Sequence, residues 1–187
     1  MPLFHFSENP NIERFVPRPP VNHPDAEPMV WAIDEWHSPL YYFPANCPRA
    51  AFWPLPTTSP DDLAKHWHDE SLRMIIAIEA KRLAELSQTT IYRYTFEGSG
   101  FIDCEDHGVW VSPETAVPSC VERLGSLVDE LASSNVELRL CPSLVPVGQL
   151  LQTTTLHWSL IRMRFADGWV VPTGGPTIPK GKVRTSS

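Results

Sequence analysis

The chain has no apolar run approaching the roughly 18 residues of a membrane-spanning helix, and no basic stretch followed by an apolar one near its start. A membrane protein and a signal-led secreted protein are therefore disfavoured, and a cytoplasmic location with reduced thiols is expected. Cys47, Cys104, Cys120 and Cys141 form no C-x-x-C pair, which removes zinc knuckles and thioredoxin-type centres. Cys120 and Cys141 lie inside apolar patterns and read as small core residues. No glycine-rich loop follows a strand, since Gly174 and Gly175 fall near the C-terminus, so a P-loop or Rossmann phosphate site is a poor fit. A G-x-S-x-G nucleophile elbow is missing too. Positive charge is in deficit, the formal net charge being −7. Counterion release needs clustered Lys and Arg, so the balance argues against nucleic acid as a partner.

Apolar residues, proline and tryptophan are what the chain does have. At 187 residues and 42% hydrophobic content it can bury one substantial core. One α+β domain over 1–171, with a flexible tail over 172–187, is the expectation. The 20 prolines and 7 tryptophans suggest long ordered loops packed over aromatic surfaces rather than disorder. The stretch from Pro17 to Pro28 carries five prolines and must be extended.

Periodicity predicts strands at Leu3 to Phe6, Met29 to Ile33, Arg49 to Trp53, Leu72 to Ile78, Thr90 to Phe96, Val109 to Val111 and Val136 to Leu140. Ser59, Pro60 and Asp62 read as the start of a helix running to about His68. Short helices are expected within Trp36 to Phe43, Lys81 to Leu86 and Val147 to Leu151. The strongest helical pattern is Ser119 to Leu131: Cys120, Val121, Leu124, Leu127, Val128 and Leu131 share a face, and Ser119 and Glu122 have capping-box spacing. Leu156 to Phe165 fits strand or helix. The implied architecture is a mixed or antiparallel β-sheet core with flanking helices.

Two histidine features carry chemistry. His66 and His68 flank Trp67, but two residues apart on a helix they diverge by about 200°, so no metal site is expected there. His5, between Phe4 and Phe6, points away from both. It reads either as a half-buried histidine satisfied by a backbone carbonyl or as a site residue.

Leu3-Phe4-His5-Phe6-Ser7 with Ile12, then Val30-Trp31-Ala32-Ile33-Asp34 with Leu40-Tyr41-Tyr42, resembles the first two motifs of the ADP-ribosyltransferase fold, in its diphtheria-toxin-like His-Tyr-Glu branch. The stretch Ser133 to Leu140, followed by Pro142, Leu144 and Val147, resembles the third motif, a strand bearing Glu137. His5-Phe6-Ser7-Glu8, Val30 to Asp34 and Ser159 to Arg164 together also resemble, over nearly the whole chain, an uncharacterised bacterial family (DUF6886-like) with no established activity.

The transferase resemblance implies NAD as substrate, no metal, and catalytic roles for His5, Tyr41 and Glu137. His5 would hydrogen-bond the ribose, Ser7 would belong to the cofactor-binding set, and Tyr41 or Tyr42 would stack on nicotinamide with Trp31 lining the slot. Glu137 would stabilise the developing positive charge. Arg14, Arg18, Arg49 or Arg162 would neutralise the pyrophosphate. Read from the residues alone, Glu137 is equally a solvent-facing strand carboxylate, and the two tyrosines equally packing groups. The competing reading is a non-catalytic ligand-binding or protein-interaction domain with an aromatic cleft. An RNA 2′-phosphotransferase-like activity is disfavoured by the acidic balance.

Overall fold

The computed structural model describes residues 1–20 and 24–170; the tail expected over 172–187 lies outside the described residues. The chain runs through β1 (Leu3–Ser7), β2 (Val30–Ile33), a 3-10 turn (Ser38–Tyr41), β3 (Arg49–Trp53), α1 (Pro60–His66) and β4 (Met74–Glu79). A second 3-10 turn (Ala80–Arg82) leads into α2 (Leu83–Gln88), followed by β5 (Tyr92–Phe96), β6 (Ile102–Asp103), β7 (Val109–Ser112) and β8 (Cys120–Arg123). Then come α3 (Leu127–Ser133), β9 (Val136–Cys141), α4 (Val145–Leu151), β10 (His157–Ile161) and a last 3-10 turn (Met163–Phe165). This is the α+β class that the residue pattern anticipates.

The elements fall into two compact units, one built on Met1–Ser38 and Tyr92–Arg123, the other on Pro39–Ile91 and, among the described residues, 124–170. In the first, six strands form an antiparallel sheet in the order β6-β7-β2-β1-β5-β8. The register Leu3↔Phe96, His5↔Tyr94 and Ser7↔Tyr92 sets one face of β1 beside one face of β5. Leu3, Ala32 and Phe96 form the core of that face, covered by Phe15, Phe101, Trp110 and Ala116. The proline-rich connection is pinned over it by the Phe15↔Ala116 bridge. The Tyr94 hydroxyl adds a second tie, donating to the Asn9 carbonyl at 2.5 Å and accepting from the Ile12 amide at 3.1 Å.

In the second unit the sheet order is β10-β3-β4-β9, with β4 and β9 parallel and the other pairs antiparallel. Every residue of β4 is buried, the apolar run Met74–Ile78 lying between β3 and β9 and only the terminal Glu79 being polar. Ala50, Phe52, Ile75 and Ala77 face a core completed by Leu144, Leu151, Leu156, Met163 and Ala166. Gly148 of α4 is a close-approach position: a Cβ there would come within 2.5 Å of the Trp169 ring.

The helix expected over Ser119 to Leu131 is instead a strand, a turn and a shorter helix. Residues 120–123 complete a ladder with β5, from Thr95↔Cys120 to Tyr92↔Arg123. The capping-box pair is used up elsewhere: Ser119 Oγ donates to the Thr95 carbonyl, and Glu122 pairs with Arg93. The helix starts only after Gly125, where Ser126 Oγ accepts from the Asp129 amide. Cys120 and Val121 are consequently exposed rather than core, while Cys141 packs half-buried against the second core. The ambiguous stretch from Leu156 resolves into β10 and a 3-10 turn, separated by Arg162 at φ 57°.

Candidate functional site

His5 occupies the centre of β1, the strand flanked by β2 and β5. It shares its face with Leu3 and Ser7, and its ring lies 4.6 Å from that of Phe15, which stands edge-on to Tyr94 and Phe96. Its Nδ1 lies 2.9 Å from the Trp31 carbonyl. A carbonyl only accepts, so Nδ1 carries the proton and Nε2 presents its lone pair. Burial holds the imidazole below its ordinary pKa, against the opposing pull of that hydrogen bond. His5 is thus a neutral acceptor at neutral pH, in one fixed tautomer. The backbone-carbonyl reading of His5 describes one ring nitrogen; Nε2 has no hydrogen-bond partner among the described residues.

Trp31 gives His5 its carbonyl but not its ring. Ala32 belongs to the core on the His5 face, so the neighbouring indole leaves β2 on the opposite face, where it is partly exposed. The two side chains do not line one slot. Ser7 is on the His5 face, its Oγ accepting from the Asn9 amide at 3.1 Å. Arg14 and Arg18 are exposed, Arg18 bridging to Met29 through its backbone.

In the second unit, Tyr41, Arg49 and Arg162 come together. Arg49 opens β3 and is buried; Nε donates to the Leu40 carbonyl at 2.6 Å and Nη1 to the Cys47 carbonyl at 2.9 Å. Its guanidinium lies 5.7 Å from the Tyr41 ring and 5.1 Å from that of Phe43. Tyr41 is exposed and Tyr42 buried, so Tyr41 is the tyrosine open to a ligand. Desolvation pushes Arg49 down to about 10 and the Cys47 thiol up to about 11.

Glu137 is not with them. Opposite Ile75 on the edge strand β9, it points to the side of Phe52, while Arg49, in register with Ile78, points to the other. Its carboxylate accepts from Arg139 Nε at 2.5 Å, and the Arg139 guanidinium lies over the Phe52 ring. Tyr41, gathered by Arg49, and Glu137 therefore belong to opposite faces of the four-stranded sheet.

Two features were passed over in the sequence. Asp34 Oδ1 accepts from both the backbone N–H and the ring Nδ1 of His37 at 2.8 Å, an Asx turn that orients the imidazole. Gly108, at φ +84°, closes over this pair where a Cβ would strike the ring; the D-x-x-H spacing was the available signal. Glu79, at the end of β4, is fully buried and accepts from the Asp167 amide at 3.0 Å, with Lys81 pairing to both Glu79 and Asp167. His66 ends α1 and His68 lies beyond it. Among the described residues no three His, Cys, Asp or Glu side chains gather as a metal site, and no helix is long and apolar enough to cross a membrane.

Fold and site together define an α+β protein of two sheets carrying an oriented, neutral histidine in one and a buried, aromatic-flanked arginine in the other. The chain belongs to a family of unknown function (DUF6886), whose model matches residues 4–166. No curated protein and no solved structure matches it. Membership bears out the second of the two sequence resemblances and assigns no activity.

Proposed function

We propose that this protein binds a small-molecule nucleotide through the Leu3–Ser7 strand, with His5 accepting a ribose hydroxyl, and that NAD is the first ligand to try. The observation carrying this reading is the fixed tautomer of His5: the Trp31 carbonyl holds Nδ1–H at 2.9 Å and turns a lone pair toward any hydroxyl donor. The Phe15 ring beside it supplies an apolar wall.

Binding without chemistry is the form the geometry favours. ADP-ribosyl transfer from NAD would need His5, Tyr41 and Glu137 around one anomeric carbon. The bond from that carbon to nicotinamide would break toward the ring nitrogen, leaving a cation for the carboxylate to face. Glu137 is instead engaged by Arg139, on the face of its sheet opposite to Arg49. The transferase reading keeps one support, the order of the His, Tyr and Glu motifs along the chain.

Calorimetric titration separates the two. A His5→Asn variant keeps a donor for the Trp31 carbonyl and loses Nε2, so it should weaken NAD binding by about tenfold. Absence of NAD binding at millimolar concentration by the unaltered chain sinks the proposal. Release of nicotinamide, abolished in Glu137→Gln with binding intact, would establish the transferase in place of the binding module.

A further inference from the structure

A buried charge is costly unless a counter-charge offsets it, because its hydration is lost and neighbouring dipoles return only part of that loss. Arg49 is 4% exposed. Its hydrogen bonds go to two carbonyls, and its faces meet Tyr41 and Phe43. None of these groups carries formal charge. Among the described residues, neither Arg49 nor Arg162 makes an ion pair with any carboxylate.

The neighbourhood makes the imbalance worse. Ile161 is in register with Arg49, so the next residue, Arg162, brings a second cation to the same end of the sheet, and its charge acts unfavourably on Arg49. The other ionisable groups bearing on Arg49 are the Tyr41 phenol and the Cys47 thiol, both neutral at neutral pH. Arg162 is moreover held at φ 57°, a left-handed conformation that is unfavourable for a non-glycine residue. Two positive charges are thus collected, one of them fully desolvated, in a chain of net charge −7.

We propose that the corner formed by Arg49, Arg162 and Tyr41 is a phosphate-binding site. A phosphate dianion matches the two cations in charge: the exposed Arg162 can donate to its oxygens directly, while Arg49, its Nε and Nη1 already engaged by carbonyls, contributes chiefly its buried charge. The carbonyls of Leu40 and Cys47 fix Arg49 in advance, so little order is lost on binding. The exposed Tyr41 ring stands where a planar group attached to the phosphate would stack. The site lies within one unit and rests on nothing proposed for His5.

The test is thermal denaturation and calorimetry of the full chain with inorganic phosphate, pyrophosphate and ADP, with ionic strength held constant by sodium chloride. Saturable stabilisation by at least one of them is expected, by mass action. Arg162→Ala, an exposed change that leaves the core alone, should raise the dissociation constant about tenfold or more. Arg49→Lys keeps the charge but not the two-carbonyl clamp, and should bind at an intermediate level. Tighter binding of ADP than of phosphate identifies a nucleotide as the source of the anion, and equal binding identifies free phosphate; both sustain the site. No saturable effect from any of the three, or an undiminished one in Arg162→Ala, overturns it. Saturable phosphate binding by an unaltered chain that does not bind NAD would discard the reading of His5 and leave this one standing.

Discussion

Burial and a hydrogen bond pull His5 in opposite directions, and burial is the larger influence. The sign for stability follows from that. A histidine whose folded pKa lies below its ordinary 6.5 binds protons more readily when unfolded, so it costs nothing above that value and destabilises the fold as pH falls below it. Asp62, Asp69 and Asp167 have lowered pKa values through bonds to Thr155, Ser71 and Lys81 respectively. Their contribution is present above the ordinary 3.8 and is lost only at more acid pH, so the windows separate. Melting temperature should fall as pH drops below the ordinary 6.5 in the unaltered chain and stay flatter in His5→Asn. Parallel curves for the two proteins would show that His5 does not titrate as its burial requires. At this scale the sequence was a good guide to identity and a poor one to company. His5 and Arg49 could be singled out as residue types, whereas the Trp31 carbonyl under one and the Leu40 and Cys47 carbonyls that hold the other are properties of the folded neighbourhood.

The short helices show how a local signal is outvoted. Ser119 to Leu131 has helical periodicity and a capping-box pair, yet β5 had an open edge and took residues 120–123 as a partner strand. A ladder satisfies those backbone groups as fully as a helix would, and tertiary pairing overrides propensity. What survives is α3, seven residues long. A helix of that length is marginal alone and depends on its cap and on the burial of Leu127 and Leu131. Ser126→Ala removes the hydroxyl that accepts from the Asp129 amide and should cost about 1 kcal/mol of unfolding free energy, read from urea denaturation. The same change at Ser119, whose hydroxyl meets the Thr95 carbonyl, should cost less; a larger loss there would mean that the longer helix forms after all. Strands with strong composition were legible nearly to the residue, Arg49–Trp53 being the clearest. The two-residue β6 had too little pattern to be seen.

Neither sheet is built from a continuous stretch of chain. The six-stranded sheet takes β1 and β2 from before residue 38 and β5 to β8 from residues 92–123, while the four-stranded sheet takes β3 and β4 early and β9 and β10 late. This interleaving was invisible to a reading that moves along the sequence, because alternation reports which residues are buried and not which strand covers them. It has a consequence for fragments. A chain ending at Gln88 keeps β1 with β2 and β3 with β4 but loses β5 and β9, the other neighbours of the central strands β1 and β4. Met74 to Ile78, buried throughout in the whole protein, would then face water along an unpaired edge, the condition that promotes aggregation. Fragment 1–88 should therefore lack a cooperative thermal transition and precipitate at micromolar concentration, and mixing during refolding with the complementary fragment should restore one. A cooperative transition in 1–88 alone would mean that the early hairpins carry a core of their own, and that the parallel pairing of β4 with β9 is added to a fold already made rather than required to make it.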